Sequence, residues 1–207
     1  MGVIKQGILG GFQNKVGPVI GSSWKGIATM RAMPISVANP RTAAQVTNRS
    51  KFGNASQMGS KLLAGIIKPL WDRFAQGESG FNAWVKQAVD AFLVDGTVDP
   101  TALVMSKGTV AIASAMEATW QGTGTQWAVT WDPALVGDAL PTDQLYIVFM
   151  NTQLRNVLAV PAAALRSAGN VNVSGQGFNR GGTVVAFFMF RRADGSRVSN
   201  SFLDTNA

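Results

Sequence analysis

Thr183-Val184-Val185-Ala186-Phe187-Phe188-Met189-Phe190-Arg191-Arg192-Ala193-Asp194-Gly195-Ser196-Arg197-Val198-Ser199-Asn200-Ser201-Phe202 reads as an apolar strand, a tight turn and a returning strand. Asp194-Gly195 supplies the turn residues, because Gly accepts the positive φ that a short hairpin connection demands. The hairpin is expected to run from Phe187 to Phe202 across Ala193-Asp194-Gly195-Ser196. The apolar run at 184–190 is far shorter than the roughly 18 residues of a membrane helix and is flanked by Arg191 and Arg192, so no membrane span is expected.

Working back from this hairpin, periodicity near two continues to about Ala102. Strands are expected at 102–106, 109–115, 125–131, 144–151, 155–160, 170–174, 183–191 and 197–203. Turn signals separate them at Lys107-Gly108, Gly122-Thr123-Gly124, Pro133, Pro141, Gly181-Gly182 and Asp194-Gly195. Short strands at this spacing favour an antiparallel β-sandwich of immunoglobulin or fibronectin type over residues 99–207, with Trp120, Trp127, Trp131 and Tyr146 in its core.

Before it, residues 41–98 read as a helical segment. Pro40 biases Asn39 away from helix and Thr42 can cap a helix beginning beside it, so one is expected from Thr42 or Ala43 until Pro69 ends or kinks it. A second helix is expected from Ser79 to about Leu93, since Phe81, Trp84, Val85, Ala88 and Phe92 hold a helical period. Together with Trp71 and Phe74 these aromatics form a helix-pair core. The fold class is therefore α+β.

Residues 1–40 differ from both. Seven Gly lie between positions 2 and 26, interleaved with Ile4, Ile8, Phe12, Val16, Ile20 and Trp24. That spacing is too rich in Gly for a stable helix and too broken for a central strand. It suggests an extended arm, or short strands with bulges, whose side chains dock on something else. Gly10-Gly11, Gly17-Pro18 and Ser22-Ser23 supply bends. The repeated Gly interruptions in Met1–Phe12 make a poor signal peptide, and Gln6 departs from the myristoylation pattern.

Charge follows the same boundary. The 207 residues carry a net charge of +7, yet only 14% are charged, against a usual quarter or so. Lys5, Lys15, Lys25, Arg31, Arg41, Arg49 and Lys51 all precede the first acid, Asp72. Such an acid-free stretch can neutralise phosphates, line an acidic partner or track a groove, and these seven residues are the candidate contacts to a partner or to phosphate.

No Cys and no His are present, which excludes a thiolate nucleophile, an imidazole base, thiolate zinc sites and disulfides. Asp90, Asp95, Asp99, Glu117, Asp132, Asp138 and Asp143 could in principle supply a carboxylate pair. Most of them adjoin Gly or Pro, where Asp is the ordinary turn residue. Gly7-Ile8-Leu9-Gly10-Gly11 lacks the strand-turn-helix context of a dinucleotide site. No enzyme activity, cofactor or metal is expected.

Ile4-Lys5-Gln6-Gly7-Ile8-Leu9-Gly10-Gly11-Phe12, Trp24-Lys25-Gly26 and Asn39-Pro40-Arg41-Thr42-Ala43-Ala44-Gln45 together resemble an uncharacterised family of proteins of about 200 residues, abundant in Bacteroidota. The Asn-Pro-Arg-Thr-x-x-Gln module, with Arg49, Phe52, Trp71 and Trp84 after it, is also similar to segments of phage and prophage proteins encoded near head or tail genes. The resemblance implies a virion structural or assembly component: capsid-associated, spike or minor. Its arm would contact other virion proteins, further copies of itself or the genome, and its location would be the virion after synthesis in the host cytoplasm. The alternatives from other classes are a non-specific nucleic-acid-binding protein and an adhesion or carbohydrate-binding module resting on the sandwich and its Trp residues.

Overall fold

The fold was taken from a computed structural model, which describes residues 2–4, 12–36, 40–122, 125–176, 178, 181, 183–205 and 207. Lys5, Asn39 and the glycines at 7, 10 and 11 lie outside the described residues. The chain divides into two compact units, Met1–Gln45 and Val46–Ala207.

The first unit is a sheet rather than an extended arm. Strands β1 (Gly2–Ile4), β2 (Asn14–Val16), β3 (Val19–Trp24) and β4 (Ile27–Ala32) pair antiparallel in the order β1-β4-β3-β2. The short strands weighed for this region are what forms. Two-residue turns make it possible. Gly17 takes φ +57° ahead of Pro18, while Lys25 and Gly26 both take positive φ, +49° and +78°, as a twist-matched hairpin requires. At Gly21 a Cβ would collide with the backbone and ring of Phe12, so only glycine lets Phe12 lie on this strand.

The second unit begins within α1 (Ala43–Leu62), whose start is where Thr42 predicts it, the hydroxyl accepting from the Gln45 amide at 3.4 Å. Pro69 does not stop the helix. A single π-helical stretch, Leu63–Ile67, precedes α2 (Lys68–Trp71), so the chain passes through Pro69 by widening the turn before it. The next helix, α3 (Gly80–Ala88), is capped by Ser79, which accepts from the Asn82 amide, and decays into a 3-10 turn at Val89–Ala91.

Two antiparallel sheets complete the unit. One has the order β11-β10-β7-β8, from β7 (Gln144–Asn151), β8 (Asn156–Leu165), β10 (Val184–Arg191) and β11 (Phe202–Asp204). The other has the order β5-β6-β9, from β5 (Glu117–Gln121), β6 (Gln126–Thr130) and β9 (Asn170–Ser174). The hairpin across Ala193–Ser196 forms, with Phe188 opposite Phe202 and Arg191 bridged to Val198. The expected strands at 102–106 and 109–115 do not form. There Val110 makes an isolated bridge to Ser199, and side chains satisfy the backbone instead, as where Asn200 accepts from the Gly108 amide.

The central strands β7 and β10 are buried on both faces. Tyr146, Val148, Met150, Val185, Phe187 and Met189 pack with Leu62, Ile66, Trp84 and Phe92 of the helical segment. Leu145, Ile147, Phe149, Val184, Ala186, Phe188 and Phe190 pack instead with Trp127 and Val129 of the three-stranded sheet, where Trp127 stacks on Phe149 at 4.1 Å between ring centroids. Helices therefore cover the outer face of what the sequence suggested was a two-sheet body, and the boundary expected at residues 98/99 runs through a shared core. Phe74 departs from the expected helix-pair core and is exposed.

Burial on both faces has a direct consequence. Phe187→Ala and Phe188→Ala point to opposite sides of one strand, yet each is expected to cost about 3–5 kcal/mol in urea unfolding. A loss confined to one of the two variants would contradict the layered arrangement.

Candidate functional site

The cations singled out from sequence fall in both units. Lys15 lies in β2, Lys25 in the turn after β3, Arg31 in β4 and Arg41 just ahead of α1, while Arg49 and Lys51 belong to α1. Of these the sheet register brings Lys15 and Arg31 together. Lys15 is opposite Ile20 and Ile20 is opposite Arg31, which puts all three in one row on one face. The next row on that face pairs Ser22 with Thr29, whose hydroxyls bond at 2.7 Å, and the last pairs Trp24 with Ile27. The opposite face carries Asn14, Val16, Val19, Gly21, Ser23, Ala28, Met30 and Ala32, with no charged residue among those described.

The described residues of this unit form almost no interior of their own. Among its described residues only Gly21 is buried. Val16 is 61% exposed, Trp24 56% and Met30 41%, and Ile27, Met33 and Ile35 are also open.

The second unit holds an ionic cluster that sequence reasoning missed. Arg166 is 1% exposed and its Nε lies 3.4 Å from Asp143, which is itself fully buried. Arg192 reaches the other oxygen of Asp143 at 3.4 Å and, with Arg197, also pairs with Asp138. Arg166 stacks on Phe190 at 3.8 Å and donates to the Ala111 carbonyl, while its own carbonyl accepts from the Trp131 indole. Burial draws the Arg166 guanidinium below its ordinary value, and Asp143 partly restores it. These charges join the loop at 138–143 to the ends of β8 and β10. No signal in the sequence marks them, because the partners are far apart along the chain.

Of the remaining carboxylates considered for catalysis, Asp95, Asp99 and Asp132 are occupied with turns. Asp95 accepts from the amide and hydroxyl of Thr97, and Asp99 does the same for Thr101. Those bonds hold both carboxyls below the usual 3.8. At Asp138 burial opposes ionisation, but the Ala111 amide and the two arginines win, and its carboxyl is also lowered. Among the described residues no group of three metal-ligating side chains is positioned to hold an ion. Trp127, Trp131 and Tyr146 are buried, and the half-buried Trp120 packs edge-on against Trp127. An apolar groove of about 440 Å³ between α1 and α3 is lined by Phe52, Phe81, Val85 and Val89. Its polar lining groups among the described residues are Asn82 and Lys86.

No helix among the described residues is long and apolar enough to cross a membrane. A family model described as a family of unknown function (DUF6266) matches residues 11–203, and the chain belongs to that family. No curated protein and no solved structure matches it.

The ionic contacts of the second unit can be tested in two ways. Arg166→Met leaves Asp143 with Arg192 as its single cationic partner, and urea unfolding is expected to show a loss of about 3–5 kcal/mol. Carboxyls whose folded values are depressed add stability that is present above the unfolded value of 3.8 and is lost as pH falls through the folded values. A pH titration of the melting temperature should therefore fall only below about pH 4, and Thr97→Ala combined with Thr101→Ala should flatten that fall.

Proposed function

We propose that this chain is a structural or assembly protein of a bacteriophage virion, whose N-terminal sheet completes its packing on other subunits of the particle. The observation that carries the reading is the first unit, in which large apolar side chains lie open on a four-stranded sheet with Gly21 as its one buried described residue. A sheet of this size stabilises itself only by burying a face. Its uncharged face, with Val16, Val19, Ala28 and Met30, suits a neighbouring protein surface. The 14% charge content of the whole chain suits close packing among subunits, and the Asn-Pro-Arg-Thr-x-x-Gln resemblance to phage and prophage proteins points to the particle in which that packing occurs.

A binding role also agrees with the chemistry present. Neither Cys nor His occurs in the chain, and Asp95, Asp99, Asp138 and Asp143 are committed to turns or to the arginine cluster.

Mass spectrometry and electron microscopy of purified particles from a host carrying this gene test the reading. The chain should be present in intact particles in many copies, and Val16→Asp with Met30→Asp should abolish its incorporation while leaving the second unit folded by circular dichroism. Particles that form intact without the chain would overturn the proposal.

A further inference from the structure

The two faces of the N-terminal sheet differ in kind, and the charged one carries a separate inference. Lys15, Ile20 and Arg31 stand side by side on β2, β3 and β4. With strands about 4.8 Å apart, the two cations are separated by roughly 10 Å across the sheet, with the aliphatic Ile20 between them. Along β3 the hydroxyl row of Ser22 and Thr29 comes next, and Trp24 stands about 13 Å from Ile20, four residues on. Lys25 adds a third cation at the adjoining turn. The indole is more than half exposed and has no acidic neighbour in its unit, since the first acid in the chain is Asp72.

We propose that this face binds single-stranded nucleic acid without sequence preference, Lys15, Arg31 and Lys25 neutralising phosphates and Trp24 stacking on an unpaired base. The chemistry favours this partner over an acidic protein surface. A row of cations set across the strands, with an exposed aromatic ring farther along β3, matches a backbone that repeats its charge and offers a π-face at every unit. A duplex hides its base faces, leaving Trp24 nothing to stack on. The inference goes beyond the assembly reading, because protein docking uses the uncharged side and either can hold without the other.

Fluorescence anisotropy of the full chain with a labelled oligothymidylate of about 20 nucleotides, between about 50 and 200 mM salt, tests it. Affinity should fall linearly with salt on logarithmic axes. Lys15→Gln with Arg31→Gln should reduce that slope by about 1.4, two phosphate contacts at about 0.7 each. Trp24→Ala should weaken binding at least about fivefold with the slope unchanged. Lys86→Gln, in the other unit, should alter neither. The charge-preserving pair Lys15→Arg and Arg31→Lys should retain affinity, which separates lost charge from lost folding. Absence of binding at about 50 mM salt, a slope unmoved by Lys15→Gln with Arg31→Gln, or competition by polyglutamate as effective as by the oligonucleotide would each overturn the proposal. So would a duplex bound as tightly as the single strand. Val16→Asp with Met30→Asp should keep oligonucleotide binding even where it blocks particle incorporation, so failure of the two proposals is told apart.

Discussion

The second unit depends on one constraint: β7 and β10 have no solvent face. A strand normally alternates between an apolar and a polar side, but here every residue from Leu145 to Asn151 and from Val184 to Phe190 is buried. Both sides of the pair must then be covered. The helical segment supplies one cover through Leu62, Ile66 and Trp84, and the three-stranded sheet supplies the other through Trp127 and Val129. The close fit shows where glycine is required. A Cβ at Gly59 would come within 2.9 Å of Phe81 and 3.0 Å of Trp84, so a side chain there would push α3 away from α1.

Polar groups near such a core must arrive already partnered, which explains the form of the arginine cluster. Arg166 sits at the end of β8, beside the apolar layer, and its charge is tolerated because Asp143, the Ala111 carbonyl and the ring of Phe190 surround it. An ion pair of this kind adds little net stability over a well-packed apolar substitute, yet removing one partner strands the other. Its effect is to fix which loop meets which strand end.

How much of this was legible in the sequence depends on how local each signal is. The long apolar runs gave β7 and β10 nearly to the residue, and Thr42 and Ser79 announced the starts of α1 and α3, because capping involves residues three apart. The stretch at 102–115 alternates like a strand, but its backbone is held by the side chains of Ser201, Asn200 and Asp138 from distant positions, and no local pattern reports that. Strand β5 was missed because Glu117–Gln121 offers only Ala118 and Trp120 as inward residues. Among the candidate contacts, the list of cations was readable but their grouping was not. Lys15 and Arg31 fall in one row on either side of Ile20, and that requires the register.

The register in turn rests on two turns. Side chains alternate with a period of two, so a slip of one residue between β2 and β3 would move Lys15 to the uncharged face and break its row with Arg31. Gly17 and Gly26, both at positive φ in two-residue connections, prevent that slip by fixing loop length and twist. The glycines that make residues 1–40 look like a structureless arm are thus what sorts its side chains into a charged face and an uncharged one. A flexible arm with the same composition would present cations and apolar groups to the same partner. A sheet with this register can present them to two.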